Sequence, residues 1–209
     1  MGFYADCIFP WLMDLSMRSE SISAERRRVL RDVAGDVLEI GFGTGLNLPH
    51  YVVGPDGVRS LTALDPSRGM AKRAARRLRQ APLAVRLEVL PAERLPFADE
   101  QFDAAVSTWT LCSVADPAPA LAGLRRVLKR GGRFFFLEHG RAQAEHLRRW
   151  QDRLNPLQRR IACGCNLNRD IEGLVSQSGL RIIELERYFL PRVPKIVGSM
   201  YRGVAVRDG

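Results

Sequence analysis

With 209 residues, 46% of them hydrophobic and 26% charged, the chain holds enough apolar material for one packed domain and too much for intrinsic disorder. Nothing apolar and uninterrupted approaches the ~20 residues needed to cross a bilayer, and the opening MGFYADCIFPWLMDLSMR lacks the basic region and clean apolar segment of a secretory signal. The net charge of +9 and isoelectric point near 10.1 ask for an acidic partner or a solvated basic surface. Basic residues recur on almost every expected helix, so solvated helix faces come first, anionic lipid headgroups second and RNA third.

Residues 3–32 predict two helices. The first is amphipathic on Phe9, Trp11, Leu12 and Leu15, a stripe that reads as core packing, with a membrane-surface or lid role as the alternative. Tyr4 and Asp6 are placed to fold over a reacting group as part of a lid, or to sit on the helix surface. Gly2 does not read as a myristoylation site, because Asp6 stands where Ser or Thr is expected. From residue 36 onward, short apolar runs at 37–40, 60–64, 85–90, 102–107 and 132–138 predict strands. Between them, 47–51, 67–79 and 119–129 carry helical spacing, and Gly131-Gly132 is expected to stop the last of these and open the next strand. A helix over 169–178 ended by Gly179 follows, then strands over 180–188 and 199–206. Buried strands interleaved with helices predict an α/β fold: a doubly wound, mostly parallel sheet with N-terminal helices. The whole reads as a single unit, with 1–35 a helical lid, 36–140 a cofactor-binding core, and 141–209 a substrate-covering segment and the last strands.

The stretch VLEIGFGTGLNLPHY, residues 37–51, carries the sharpest signal. In an open doubly wound sheet, ligands sit outside the carboxyl ends of the strands, so a loop leaving the first strand lies at the cradle. A dinucleotide site wants G-x-G-x-x-G. Here the pattern is Gly41-x-Gly43-x-Gly45, and Leu46 occupies the third dinucleotide glycine position. Glu39 stands just before the loop, where a carboxylate repels a pyrophosphate but favours an ammonium group. Asp65 closes the second strand in LTALDPS, where it accepts hydrogen bonds from two ribose hydroxyls or caps the following helix. An amino-acid end, a ribose and no phosphate describe S-adenosyl-L-methionine (SAM), whose demethylated product is S-adenosyl-L-homocysteine.

The stretches VLEIGFGTG, ALDPSRGM, AERLPFADEQFDAAVS and LRRVLKRGGRFFFLEHG fall in order over residues 36–140. Together they resemble the class I SAM-dependent methyltransferases, specifically the methyltransferase type 11 group that includes the ubiquinone and menaquinone pathway enzymes. The resemblance implies that Gly41, Gly43 and Gly45 pass under the methionine part and that Asp65 binds the ribose. It implies that Met70 lies against the adenine and Ala92-Glu93 along its edge, with Pro91 where many relatives have an acidic residue. Glu39 is then expected to orient the methionine amino group, and Asn47, Pro66 and Thr108 complete the expected cofactor set. TWTLCSV, LEH, GCNLNRD and the ending YRGVAVR are similar to the methyltransferase-like 7 family, thiol S-methyltransferases that associate with membranes through an N-terminal segment. No long apolar stretch like that family's anchor is read in these residues, so constitutive membrane insertion is not expected.

A small, apolar acceptor is therefore expected, a thiol first, with phosphatidylethanolamine N-methylation or quinone-type C- or O-methylation as alternatives. A thiol must lose its proton, and His139 at the end of the fifth strand is either the base for that step or a capping and packing group. Trp109, Leu111 and Cys112 follow the fourth strand and are the substrate candidates. Cys112 reads as a small apolar filler. Thr108-Trp109-Thr110-Leu111 occupies the place where amide and adenine N-methyltransferases carry Asn/Asp-Pro-Pro-aromatic, which sets nucleobase and glutamine methylation aside. A non-catalytic nucleic-acid-binding protein rests on charge alone. The four cysteines read as reduced thiols of a cytosolic protein. Cys163-Gly-Cys165 is too tight for a zinc pair, so no metal is expected.

Overall fold

The computed structural model describes residues 4–209; Gly2 and the Asp6 side chain, singled out above, lie outside what is described. Seven strands form one sheet: β1 (Gly35–Ile40), β2 (Val58–Leu64), β3 (Val85–Glu88), β4 (Phe102–Thr108), β5 (Leu128–His139), β6 (Arg181–Phe189) and β7 (Ser199–Val206). Their spatial order is β3-β2-β1-β4-β5-β7-β6. The first five run parallel, while β7 is antiparallel to both β5 and β6. The doubly wound, mostly parallel sheet expected from the sequence is therefore present. Its winding reverses between β1 and β4, which opens a crevice at their carboxyl ends.

Alternate residues of each interior strand face opposite sides, and both sides are covered. Leu38, Ala105, Phe134 and Phe136 face a core built with α4 (Pro117–Val127) and α6 (Ile171–Gln177). Val37, Ala104, Phe135 and Leu137 face a second core built with α2 (Glu20–Leu30) and α3 (Arg68–Gln80). A fully buried Phe or Leu here contributes roughly 2 kcal/mol, which explains why these strands read as apolar runs. Side-chain caps set the helix starts. Ser67 Oγ accepts from Met70 N at 3.2 Å for α3, Asp116 Oδ1 from Ala118 N at 3.2 Å for α4, and Asp170 Oδ1 from Gly173 N at 3.0 Å for α6.

Three expectations need correction. The helix placed at 119–129 ends at Val127, because Leu128 already pairs with Phe102 in the sheet. Gly131, with φ +73°, lies inside β5 at the register shift between the Phe102 and Ala104 pairings, so the glycine pair bends a strand rather than stopping a helix. Residues 47–51 hold only the 3-10 turn Leu48–His50, closed by Leu48 N→Gly45 O and His50 N→Asn47 O. The covering segment, the first part of 141–209, contains a long helix, α5 (Glu145–Ile161), with Pro156 inside it. No helix among the described residues is long and apolar enough to cross a membrane.

The N-terminal helix, α1 (Phe9–Ser16), follows a π-helical turn over Tyr4–Ile8. Trp11, Leu12 and Leu15 point outward, against the core-packing reading of that stripe. The buried side instead carries Pro10 and Asp14. Asp14 Oδ1 accepts from Thr44 Oγ1 at 2.6 Å and pairs with Arg77 Nη1 at 2.9 Å, while Arg18 meets its other oxygen. A buried carboxylate with three donors is tolerable where an unpaired one is not. It fastens α1 across the mouth of the glycine loop and α3.

Candidate active site

The loop leaving β1 is shaped by contacts that forbid side chains. A Cβ on Gly41, at φ +67°, would lie 1.9 Å from Thr110 Oγ1, closer than any packing allows. Gly43, at φ +59°, turns its N–H to Asp65 Oδ2 at 2.8 Å, and Asp65 Oδ1 accepts from Ser67 N at 2.8 Å. Asp65 thus joins the glycine loop to the start of α3, and burial raises its pKa above the usual carboxylate range despite the two amides.

Above this loop opens a crevice of about 430 Å³, within the usual span of small-molecule sites. Gly41, Gly43, Asp65, Pro66 and Met70 line it, as do Ala92, Glu93 and Thr108. Glu93 Oε1 also accepts from Ala115 N at 3.1 Å, holding the turn after β4. Glu39, Gly45 and Asn47 do not line the crevice. Glu39 is 1% exposed, with Oε1 accepting from Asn47 Nδ2 at 2.8 Å and Oε2 from the Tyr51 hydroxyl at 2.7 Å. Its expected contact with an amino group is therefore replaced by a supporting role, one layer back.

What Glu39 supports is Arg26, which the sequence reading left among solvated basic residues. Arg26 Nη1 donates to Asn47 Oδ1 at 2.6 Å and to Thr108 Oγ1 at 3.0 Å. Its guanidinium carbon lies 4.7 Å from the centroid of the Trp109 ring. It lines the crevice, and its buried Nε has no protein partner. Burial lowers its pKa to about 10, so it stays charged at neutral pH. A signal was available: Ile22, Arg26, Val29, Leu30 and Val33 are all buried, and their spacing places Arg26 on the apolar stripe of α2.

Burial pushes Glu39 up to about 7. The unfolded chain releases this proton near pH ~4.3, so between there and about 7 the folded state binds one proton more. Glu39 therefore contributes a loss of stability as pH rises through that window. Glu39→Gln is expected to shrink the difference between urea midpoints measured at about pH 5 and about pH 8. An unchanged difference would mean that Glu39 is ionised throughout.

The acceptor end is built from the turn after β4 and the loop after α5. Trp109, Ser113, Val114, Ala162 and Cys163 line it, with Phe9 and Met13 of α1. Trp109 and Cys163 both have positive φ, +51° and +46°, a conformation costly for bulky residues and common at functional walls. Leu111 and Cys112 are buried behind the wall and do not line it, which corrects their placement as substrate contacts. His139 is also off the wall, 9% exposed, with Nε2 turned to Cys165 Sγ at 2.8 Å. This arrangement contradicts its role as a base facing the acceptor. Tyr4 does not cover a reacting group either: its hydroxyl donates to Ile161 O at 2.6 Å and ties the N-terminal turn to the end of α5.

A mostly parallel sheet with a side-chain-free loop after β1, a carboxylate closing β2 and a crevice at the switch point defines a doubly wound protein with its crevice where such folds bind ligands. A methyltransferase domain family matches residues 38–136. The rat (Rattus norvegicus) thiol S-methyltransferase TMT1B is 32% identical over 210 residues, spanning 91% of this chain and 84% of the relative. A phosphatidylethanolamine N-methyltransferase of Cereibacter sphaeroides is 32% identical over 132 residues, 61% of this chain and 63% of its own. In a solved complex of the Haloferax volcanii Trm112 methyltransferase activator with a methyltransferase, the matched chain superposes with a TM-score of 0.73 at 18% identity, covering 99% of this chain and 96% of that one. The chain belongs to the methyltransferase type 11 group of the class I SAM-dependent methyltransferases.

Proposed function

We propose that this methyltransferase acts on the sulfur of a small apolar thiol. The supporting observation is what the crevice wall offers: among the described residues lining it, the ionisable ones are Arg26, Asp65, Glu93 and Cys163. Arg26 suits the carboxylate of the methionine part, since its buried Nε lacks a partner, and Asp65 suits the ribose hydroxyls. Glu93 is engaged with backbone amides at 3.1 and 3.4 Å. No histidine stands at the acceptor end of that wall. A hydroxyl acceptor needs a strong base there. A thiol, with pKa ~8.5, supplies a few per cent of thiolate at neutral pH unaided.

When bound, SAM supplies an already activated methyl group. The chain's own contribution is then to align the nucleophile and exclude water. Phe9, Met13, Trp109, Val114 and Ala162 do this with apolar surface. The N-terminal segment, described from Tyr4 to Gly35, acts as the lid in this reading, held down through Asp14.

The similarity to the rat thiol S-methyltransferase supports the same acceptor. Labelled SAM offered to purified protein with alkyl thiols, hydroxyl compounds and phosphatidylethanolamine vesicles tests it. Label is expected on thiols, with a rate that rises about tenfold per pH unit below the thiol's own pKa of ~8.5. Label confined to the vesicles sinks the reading.

Phosphatidylethanolamine N-methylation is the second reading, favoured by the exposed Trp150, Leu154, Leu157 and Ile161 along one face of α5 and by Trp11, Leu12 and Leu15 on α1. Arg148, Arg149, Arg153, Arg159 and Arg160 accompany the α5 face. Aromatic and aliphatic groups among cations suit peripheral contact with an anionic membrane. We place the enzyme in the cytoplasm, at such a surface, in keeping with its four free thiols.

A further inference from the structure

We infer that Cys112, His139 and Cys165 form a binding site for a divalent cation of zinc's kind. Cys112 comes from the turn after β4, His139 closes β5, and Cys165 lies in the loop after α5. Their ligand atoms all lie within 4.8 Å of one another. Cys165 Sγ is 2.8 Å from His139 Nε2 and 3.6 Å from Cys112 Sγ. Two sulfurs on one tetrahedral zinc, each bonded at ~2.3 Å, sit ~3.8 Å apart, and a sulfur and an imidazole nitrogen ~3.5 Å apart. The sulfurs already stand at ligand spacing. The imidazole needs to withdraw from its present 2.8 Å by only about 0.7 Å.

The backbone around the donors is fixed before any ion arrives. Asn166 donates to Cys112 O from both its backbone N and its Nδ2, each at 2.9 Å. Leu167 N donates to Asn155 Oδ1 at 2.8 Å, and Arg169 Nη1 donates to Val114 O at 2.6 Å and to Leu111 O. The loop carrying Cys165 is thus laced, just after that residue, to the turn carrying Cys112 and to α5, the preorganisation that a metal site requires.

Two sulfurs and an imidazole suit zinc, whereas magnesium and calcium take oxygen. On binding, two S–H bonds give way to two S–Zn bonds and two protons leave to solvent. Two thiolates then cancel the dication, so the buried group carries no net formal charge. Three protein ligands leave the fourth tetrahedral position open. The sequence spacing argued against a metal because it tested Cys163 with Cys165. The fold uses Cys165 with partners 53 and 26 residues away instead. The site stands whichever acceptor the enzyme takes. It would staple the loop bearing Ala162 and Cys163, part of the crevice wall, to the ends of β4 and β5.

The full chain is stripped with a chelator, dialysed against zinc, desalted and measured by mass spectrometry for metal. About one equivalent is expected. Cys112→Ser and Cys165→Ser are expected to cut retained zinc by at least about tenfold, while Cys163→Ser retains it. Cobalt in place of zinc should show a thiolate-to-metal absorption band. Wild-type protein alone supplies a further readout: zinc should slow alkylation of Cys165 by iodoacetamide but spare the exposed Cys7 and Cys163. The proposal is overturned if the two serine variants hold as much zinc as wild type, if cobalt shows no such band, or if Cys165 alkylates equally fast with and without zinc.

Discussion

Asp65→Ala is expected to weaken SAM binding by at least about a hundredfold while the enzyme stays folded. The carboxylate lines the crevice and spends one lone pair of each oxygen on Gly43 N and Ser67 N, both at 2.8 Å. Each oxygen keeps a second lone pair, and the two together suit adjacent ribose hydroxyls. A hydrogen bond to an ionised group is worth roughly 1.5–3 kcal/mol, so losing two removes at least two decades of affinity. The fold loses two amide acceptors at about 1 kcal/mol each, a fall of about 5 °C in Tm for a domain of this size. Asp65→Asn keeps an acceptor for one amide and is expected to recover stability without recovering affinity. Titration calorimetry giving the wild-type Kd for Asp65→Ala would take this residue out of the site.

Arg26→Ala is expected to cost a similar factor, about a hundredfold, and for a different reason. The guanidinium is held by Asn47 and Thr108 and stacked near Trp109, with Nε left for a ligand. A carboxylate is the partner that its planar fork fits. Decarboxylated SAM, or adenosine, should therefore bind wild type and variant within about threefold of each other, while SAM itself should not. The variant also removes the facing charge that favours ionised Glu39, so this buried carboxyl is expected to hold its proton at neutral pH. Pairing Arg26→Ala with Glu39→Gln should restore none of the affinity. Equal losses for SAM and for the decarboxylated compound would show that Arg26 merely supports the wall.

The sheet was legible because its strands are buried on both faces, which writes them as apolar runs such as residues 102–107 and 132–138. Asp65 and the glycine loop were legible for a related reason: backbone proximity demands particular residue types at fixed spacing. The strand over Ser199–Val206 was found at its observed bounds. Sites assembled by tertiary contact were not legible. Glu39 was singled out by its place in the loop, yet burial and two donors turn it into a support. His139 was placed correctly at the end of β5 but its direction was not, since only the fold brings Cys165 to it. Arg26 was lost inside a run of three arginines, where charge hid helical periodicity. The α1 stripe failed because Asp14, a charged residue, occupies the buried side.

The last strand in sequence, β7, is the next to last in space, bonded on both edges between β5 and β6. A polypeptide emerging N-terminus first therefore presents β6 before anything exists for it to pair with. Until β7 has left the ribosome and slipped into place, β5 also shows an open edge, the one that pairs over residues 133–139 in the finished sheet. Sheet closure must then wait for synthesis to pass residue 206, and until then both β5 and β6 carry unpaired edges, the exposure that invites edge-to-edge association.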